Sequence, residues 1–303
     1  MYDIIIIGGG PAGLTAATYA RRAGRSVLVI EKHAFGGQIT WSPKVENFPS
    51  VLSISGTELG DRLLEQAMEH GADVELEEVV SVELDKSLGP VLAETLAGAD
   101  NVEIIYGDVL RQDLRALAGE RFAGLRPVVC ANLPYNVTSP VLTEIIESGV
   151  FDTVTVMIQR EVARRICAPA NTPDYGAFGI FVQWYTEPEL LFDVPPSCFI
   201  PQPKVTSSVI RLRRRSAPPA AVRDEKLLFR IVRAAFNQRR KTLVNALSSS
   251  TGLDKAELER AITGCGFDAR VRGEALDIAG FAAICEKISD LYTMFTPAAK
   301  RQE

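Results

Sequence analysis

The stretch Asp3-Ile4-Ile5-Ile6-Ile7-Gly8-Gly9-Gly10-Pro11-Ala12-Gly13 decides the fold at the N-terminal end of this 303-residue chain. Its β-branched run predicts a strand buried on both faces, and Leu14 to Ala23 predicts a helix. A second strand, Ser26 to Ile30, ends at Glu31. This order predicts a βαβ unit of dinucleotide-binding geometry, with an ordinary glycine-rich turn as the alternative.

The spacing of Gly8, Gly10 and Gly13 is that of the G-x-G-x-x-G fingerprint. Glycines at these positions let backbone amides approach a pyrophosphate, and the N-terminus of the following helix favours negative charge. Glu31 lies 18 residues beyond Gly13, where an acid can bind ribose hydroxyls.

The first segment resembles the thioredoxin reductase family of flavoproteins. The resemblance rests on Gly8 to Leu14, Glu31-Lys32, Gly36-Gly37-Gln38-Ile39 and Val45-Glu46-Asn47-Phe48-Pro49, and continues from Leu59 to Val82. It implies FAD held at Gly8, Gly10 and Gly13, with Glu31 at the adenosine ribose and Gly37 and Gln38 near the isoalloxazine. It stops near Val82, and without a later CxxC pair a complete thioredoxin reductase is excluded.

Beyond Glu83 the pattern alternates predicted helices and strands. The helices are Leu88 to Ala97 and Pro140 to Glu147; the strands are Val102 to Tyr106, Pro127 to Ala131 and Thr153 to Ile158. The fold class expected is α/β, a doubly wound, Rossmann-like, mostly parallel sheet with a small C-terminal helical domain. Asp108 and Asn132 come just after strands, where such sheets carry functional polar groups.

The string Asn132-Leu133-Pro134-Tyr135 suits recognition of an exocyclic adenine amine. That amine is a weak nucleophile, and an Asn carbonyl and a backbone carbonyl can accept its hydrogen bonds. Tyr135 can stack on a base swung out of its helix, and Pro134 stiffens the turn. A bare Asn-Leu-Pro turn is more often structural, so this alternative stays open on the string alone.

The region from about Glu83 to about Asp290 resembles the 16S ribosomal RNA adenine N6-dimethyltransferases and the related 23S methyltransferases. The motifs are Glu83-Leu84-Asp85, Gly107-Asp108-Val109-Leu110, Asn132 to Val137, Met157 to Ala163, Phe199 to Val205, Ser207-Ser208-Val209 and Phe236 to Leu243. Several ordered blocks over most of the chain make the resemblance specific.

The resemblance implies roles for individual residues. Glu83 is expected to bind the ribose of S-adenosylmethionine and Asp108 its adenine amine, with Asn132 beside the donor. Asn132 and Tyr135 are expected to hold the target adenine in a pocket shaped by Leu133 and Pro134. Phe199 is expected to stack on the base from the other side; the alternative is a core anchor for a rigid turn.

The net charge of −5 conceals a strong asymmetry along the chain. Residues 1–90 carry 7 Lys/Arg against 13 Asp/Glu, whereas residues 199–245 carry 12 against 2. This surplus favours RNA phosphate contact over a merely solvated face, with Arg213-Arg214-Arg215 adding to the charge. The RNA-binding residues expected are Lys204, Arg239, Arg240 and Lys241. The partner expected is small-subunit ribosomal RNA or a pre-ribosomal subunit.

Three segments are expected: a flavoprotein-like unit over 1–82, a methyltransferase core over 83–217 and a basic helical domain over 218–303. In the third, Leu258, Ile262, Phe267, Leu276 and Phe281 suggest a core of its own. The join falls at Val82-Glu83-Leu84-Asp85-Lys86. The basic arm and the Glu-x-Gly-x-Gly donor loop of the methyltransferases are absent, and Gly13 precedes Glu83 by 70 residues, which does not fit that loop.

The five cysteines form no CxxC pair, and with two histidines no metal site is expected. Scattered cysteines and the lack of a signal-like or membrane-spanning stretch predict a cytoplasmic protein without membrane attachment. The oligomeric state is left open.

Four hypotheses for function remain after the sequence alone. The first is an S-adenosylmethionine-dependent methyltransferase of small-subunit ribosomal RNA, with its activity placed in question by the lost loop. The others are an FAD-binding oxidoreductase fragment, a non-catalytic RNA-binding chimaera, and an engineered or misassembled fusion that resequencing across codons 75–95 would expose.

Overall fold

A computed structural model describes residues 2–295 apart from 33, 50, 78, 98–100 and 200. The expected segments over 1–82 and 218–303 include some of the residues outside this description. The chain divides into two units, Met1–Gln112 and Asp113–Glu303. Each unit has its own sheets, so each is described by itself.

The first unit begins with a parallel three-stranded sheet of order β1-β2-β3. Its elements are β1 (Ile4–Ile7), α1 (Pro11–Arg22), β2 (Val27–Glu31), α2 (Gly56–Glu69) and β3 (Asp73–Leu76), with a 3-10 helix over Gly37–Trp41. The predicted βαβ unit is therefore present. Leu14, Ala17, Val29 and Leu59 form the centre of its core.

The expectation that β1 is buried on both faces is wrong. Ile5 and Ile7 are 47% and 40% exposed, whereas Ile6 packs against the core that includes α1. The reason lies in the sheet order, because β1 is an edge strand that pairs only with β2 among the described residues. A β-branched run predicts a strand, but it does not predict whether one face of the strand or both faces are buried.

The rest of the first unit is a separate two-stranded parallel sheet. It contains β4 (Val79–Glu83), α3 (Gly89–Thr95) and β5 (Val102–Tyr106), with 3-10 helices over Lys86–Leu88 and Val109–Arg111. β4 thus runs up to the join between the two resemblances and pairs with β5 in an unbroken register. The join lies at the end of a regular strand.

The second unit contains a four-stranded mixed sheet of order β6-β7-β9-β8. Its elements are α4 (Leu114–Arg121), β6 (Val128–Asn132), α5 (Thr138–Ser148), β7 (Thr153–Gln159), α6 (Arg160–Cys167), α7 (Ala177–Tyr185), β8 (Thr186–Val194) and β9 (Ser207–Arg214), with a 3-10 helix over Pro196–Cys198. β6 and β7 are parallel, and β9 is antiparallel to both β7 and β8.

Four helices and a 3-10 helix over Gly273–Ala275 complete the second unit. They are α8 (Glu225–Asn237), α9 (Leu243–Thr251), α10 (Lys255–Thr263) and α11 (Ile278–Phe295). The side chains of Asp224, Thr242 and Asp254 accept hydrogen bonds from backbone amides in the first turns of α8, α9 and α10. Such caps satisfy amides that a helix start leaves without partners.

The apolar residues expected in the helical core pack as predicted. Leu258, Ile262, Leu276 and Phe281 are buried, and Phe267 packs against them. The same core also takes Tyr175 before α7, and Ile180 and Trp184 within it. The C-terminal helices therefore share their core with the element that leads into β8.

The α/β class with mostly parallel strands and C-terminal helices is confirmed. Across the described ranges the strands fall into three sheets, not one doubly wound sheet. The physical reason is in the sequence, which supplies a flavoprotein-type βαβ where the resembled methyltransferases have their first strand. Across the same described ranges, none of the helices combines the length and apolar character needed to cross a membrane.

The exposure of β1 makes a prediction for stability. Replacing Ile5 with Ala should cost about 1 kcal/mol or less, because the side chain is already half in water. Replacing the fully buried Leu14 with Ala should cost about 2–5 kcal/mol through the cavity it leaves. Urea unfolding followed by circular dichroism measures both. An Ile5→Ala cost as large as that of Leu14→Ala contradicts the edge position of β1.

Candidate functional site

The turn after β6 is fixed by backbone bonds on both sides. The amide of Leu133 donates to the carbonyl of Met157 on β7 at 3.1 Å. The carbonyl of Pro134 accepts from the amide of Val137 and from the hydroxyl of the buried Thr138, each at 3.1 Å. Hydrogen bonds at Leu133 and at Pro134 therefore fix the conformation of the turn.

These bonds decide which backbone carbonyl is free to meet an amine. The Pro134 carbonyl already accepts two hydrogen bonds, whereas the Leu133 carbonyl has no partner in the part of the chain that the structure describes. The Asn132 side chain is exposed at the end of β6. Asn132 and Leu133 thus offer two adjacent carbonyl acceptors, while the buried Leu133 side chain anchors the turn.

The ring of Tyr135 is half-buried and anchored at its hydroxyl. That hydroxyl shares a 2.8 Å hydrogen bond with the hydroxyl of Ser207, the first residue of β9. Phe199 is also half-buried and follows the 3-10 helix between β8 and β9, where its amide donates to the carbonyl of Pro196. Both aromatic residues lie in the second unit, beside strand ends or in the loops that join strands.

A thiol lies two residues before Asn132 on β6. Partial desolvation raises the pKa of the Cys130 thiol above its usual value, although the residue keeps exposed surface. The group therefore stays protonated at neutral pH and is not a thiolate nucleophile. The polar chemistry of this turn comes from neutral carbonyls and a hydroxyl.

Glu83 and Asp108 stand at the carboxyl ends of two paired parallel strands in the first unit. The amide of Gly107 donates to the backbone carbonyl of Glu83 at 2.9 Å, which keeps the two strand ends side by side. One oxygen of Glu83 accepts from the amide of Asp85 at 2.7 Å, and one oxygen of Asp108 accepts from the amide of Leu110 at 3.0 Å. Both side chains are half-buried.

The glycine loop of the first unit, residues 8–13, is hydrogen-bonded to the carboxylate of Glu31 at the end of β2. One oxygen of the buried Glu31 accepts from the amide of Gly9 at 2.7 Å, and the other from the amide of Lys32 at 2.8 Å. Gly13 has no room for a side chain, because a Cβ there would lie 2.0 Å from the carbonyl oxygen of Gly8. The loop therefore requires glycine at this position.

A second glycine turn packs against this loop. The amide of Gly36 donates to the carbonyl of Gly9 at 2.8 Å, and a Cβ on Gly37 would lie 3.2 Å from the Cα of Gly10. Gly37 has φ +55°, a conformation that favours glycine, and Gln38 after it is exposed. The structure thus brings Gly8, Gly10, Gly13, Glu31 and Gly37 together in one cradle.

The four expected RNA-binding cations differ in their surroundings. Arg239 donates to the carbonyls of Pro173 and Tyr175 and lies over the ring of Phe236. The side chains of Arg240, Lys241 and Lys204 are exposed and, within the described residues, have no hydrogen-bond or ion-pair partner. Arg239 therefore supports the packing of the unit, whereas the other three leave their charge available to a ligand.

The arginine run at the end of β9 is also engaged. Arg213 pairs with Glu189, Arg214 donates to the carbonyl of Gly149, and Arg215 pairs with Glu187. Charge counting cannot separate such arginines from free ones, since the acids that neutralise them lie on the neighbouring strand β8.

Sequence reasoning assigned no role to Thr138 or Ser207. Thr138 offered no signal beyond its place next to the Asn132–Tyr135 turn. Ser207 lies in the string Ser207-Ser208-Val209, which was recognisable as a motif without a chemical reason. The partner of Ser207 becomes visible only once β9 lies beside β7, whereas Thr138 bonds to the carbonyl of Pro134, four residues before it.

Comparison with protein families gives two matches on the one chain. The model described as Ribosomal RNA adenine dimethylase matches residues 72–283, and the model described as FAD dependent oxidoreductase matches residues 3–132. Their overlap contains the predicted join at Val82–Lys86. Both resemblances drawn from the motifs, and the composite architecture, are therefore confirmed.

Two curated relatives resemble most of the chain. Ribosomal RNA small subunit methyltransferase A of Geobacillus thermodenitrificans (strain NG80-2) is 47% identical over 219 residues, covering 71% of this chain and 75% of the relative. The enzyme of the same name from Lachnoclostridium phytofermentans is 44% identical over 217 residues, covering 70% and 75%.

Two solved structures resemble the chain in fold. A dimethyladenosine transferase from Plasmodium falciparum has a TM-score of 0.55 at 19% identity, covering 92% of this chain and 95% of its own. The 23S rRNA methyltransferase ErmE has a TM-score of 0.52 at 20% identity, covering 91% and 97%. At these identities the likeness concerns the fold.

Proposed function

The chain belongs to the ribosomal RNA adenine dimethylase family, and from this premise we propose that it transfers methyl groups from S-adenosylmethionine to adenine N6 in small-subunit ribosomal RNA. The observation that carries the proposal is the fixed turn from Asn132 to Tyr135, with its two free carbonyl acceptors. Its curated relatives are named as small-subunit methyltransferases, which supports the choice of RNA.

The turn suits an adenine amine for a chemical reason. The amine donates two hydrogen bonds, and the Asn132 side chain and the Leu133 carbonyl each accept one. Accepting both bonds draws the nitrogen lone pair away from the ring, which makes the nitrogen a better nucleophile. Tyr135 and Phe199 provide aromatic faces for a base swung out of its helix. The attack needs no metal ion and no strong base.

The residues present fit the adenosine part of the donor. The second carboxylate oxygen of Glu83 is bonded to no backbone amide and can accept from ribose hydroxyls. The second oxygen of Asp108 lies 3.8 Å from the guanidinium of the exposed Arg111, a loose pair that an adenine amine can replace. S-adenosylmethionine supplies the methyl group when bound. The Glu-x-Gly-x-Gly string expected to hold its methionine part does not occur in the sequence, and the glycine loop at Gly8–Gly13 is closed by Glu31 and by Gly36. We therefore infer that donor affinity comes mainly from the adenosine.

The experiment that tests this function is methyl transfer to small ribosomal subunits that lack the modification. Asn132→Ala should lower the rate about a hundredfold, because an acceptor that strengthens in the transition state is lost. Asn136→Ala, which removes an exposed amide from the same turn, is the matched control and should retain the rate. Absence of transfer by the unaltered chain at saturating donor contradicts the proposal.

A competition measurement in the same assay separates the two ends of the donor. Methylthioadenosine, which lacks the amino acid part, should compete within about threefold of S-adenosylhomocysteine, since only the adenosine is held. A much stronger block by S-adenosylhomocysteine shows that some group of the chain does hold the methionine end.

We propose small-subunit ribosomal RNA, free or in a cytoplasmic pre-ribosomal subunit, as the partner of the exposed cations Lys204, Arg240 and Lys241. Their side chains are exposed and, among the residues that the structure describes, have no ion-pair partner, which supports this assignment. The segments 1–82, 83–217 and 218–303 are proposed as the domains that divide this work. The third carries two of the three cations.

Salt dependence tests whether these cations contact RNA phosphates. Arg240→Ala and Lys241→Ala should each reduce the slope of log affinity against log salt concentration by about 1, because each contact releases counterions from a phosphate. Arg239→Ala is the contrasting variant and should lower the melting temperature with little change in slope. Filter binding with structured RNA measures the slope. Equal slopes for all variants contradict phosphate contact by Arg240 and Lys241.

A second function, binding of FAD or a related dinucleotide by the first unit, is favoured by the cradle of glycines around Glu31. The family match over residues 3–132 supports it. The oxygens of Glu31 accept from the amides of Gly9 and Lys32, which fixes the carboxylate at the end of β2, where the resemblance expects the adenosine ribose. The exposed Gln38 is proposed as a contact to the flavin ring.

Gly13→Ala tests this site. The added methyl group collides with the Gly8 carbonyl, so the loop must open and flavin uptake should fall at least tenfold. Gly119→Ala lies in helix α4 with open space around it and should bind as the unaltered chain does. Equilibrium dialysis with FAD gives the affinities. If the unaltered chain takes up no flavin, the second function is wrong, whatever the variants do.

A further inference from the structure

Two sequence motifs remain without a role in base binding, Gln159-Arg160 and Ser207-Ser208. The structure brings them together where β7 and β9 pair antiparallel, with Gln159 opposite Ser207. The amide of Arg160 donates to the carbonyl of Thr206 at 3.0 Å. The start of β9 is therefore fixed to the end of β7.

The other side of β9 is fixed as well. Ser207 lies opposite Val194 of β8, and the hydroxyl of Ser208 donates to a carboxylate oxygen of Asp193. The second oxygen of Asp193 lies 3.7 Å from a guanidinium nitrogen of Arg160. A strand paired on both sides cannot shift without breaking its ladder, so Ser207 occupies a rigid position.

The hydroxyl of Ser207 is buried, with 1% of the residue exposed, and it bonds to the hydroxyl of Tyr135 at 2.8 Å. Buried polar groups are almost always hydrogen-bonded. Because adjacent residues of a strand point to opposite faces, Ser207 hydrogen-bonds to Tyr135 whereas Ser208 hydrogen-bonds to Asp193. The two serines are thus neighbours in sequence with separate partners.

We propose that Ser207 is a positioning residue that fixes the ring of Tyr135 as a stacking surface for the target adenine, an inference that rests on the proposed base site. The torsion between Cβ and an aromatic ring is soft, so a ring held only at Cβ samples many planes. A bond at the far end of the ring removes that freedom. The ring then meets the base without a further loss of entropy.

The experiment uses the full chain and an RNA hairpin carrying 8-vinyladenine at an unpaired position, a fluorescent base that keeps the N6 amine and whose fluorescence falls when it stacks on an aromatic ring. Ser207→Ala and Tyr135→Phe both keep the ring and remove the bond. Each should weaken the stacked complex about fivefold, the effect of one ordinary hydrogen bond. Because both remove the same bond, the double variant should be no weaker than the weaker single variant.

Ser208→Ala is the matched control, since it removes a hydroxyl from the same buried strand without touching Tyr135. It should lower the melting temperature and leave the stacking affinity unchanged. Carbon-13 relaxation of labelled tyrosine in the protein alone supplies a second measurement. Ser207→Ala should make the Tyr135 ring more mobile, and Ser208→Ala should not.

The outcomes separate this inference from the proposed function. Unchanged ring mobility in Ser207→Ala, or additive losses in the double variant, overturns the positioning role while leaving the base site in place. A mobile ring that still stacks with full affinity overturns it as well. If the unaltered chain never quenches 8-vinyladenine, the base site itself is wrong, and Ser207 then has no ring to position for it.

Discussion

The parallel pairing of β6 with β7 is the constraint on which the candidate base site depends. Its register places Asn132 beside Met157, and the Met157 carbonyl accepts the amide of Leu133 at 3.1 Å. One backbone bond thus ends the strand and begins the turn. A slip of one residue would send the Asn132 side chain to the other face of the sheet. The acceptors and the ring of the turn are correctly aimed only because this ladder is in register.

The same physics explains why two families can meet at the end of β4 with little local disturbance. A strand forms from β-branched residues that have a neighbouring strand to pair with. β4 contains three valines, and it pairs with β5. A glycine loop is different, because its shape is set by particular partners. Gly9 donates to Glu31 and accepts from Gly36, residues that belong to the flavoprotein-like segment. All of these partners lie on the flavoprotein-like side of the join, so the loop keeps its own shape and does not take the form of the methyltransferase donor loop.

Periodicity and motifs predicted the βαβ unit, the strands β5 to β7 and the residues of the C-terminal core. They could not predict that β1 would be an edge strand, because an isoleucine run looks the same at an edge and in the centre of a sheet. Nor could they predict that the Pro134 carbonyl, and not the Leu133 carbonyl, accepts the hydrogen bond of the Thr138 hydroxyl. Ser207 was visible only as part of a motif, because its partner lies 72 residues away in sequence.

The distribution of charge along the sequence does not show which cations are available to a ligand, and the pairing of β8 with β9 explains why. Glu187 and Glu189 lie on β8 across from the arginines of β9, so ion pairs form within the sheet as a consequence of antiparallel pairing. The guanidinium of Arg239 likewise donates to two backbone carbonyls, whereas the side chain of the adjacent Arg240 is exposed to water. The field that a negatively charged ligand would meet depends on such exposed cations, not on the count of cations. A chain with a net charge of −5 can therefore present a basic surface, because its acids are concentrated elsewhere in the sequence or are already paired.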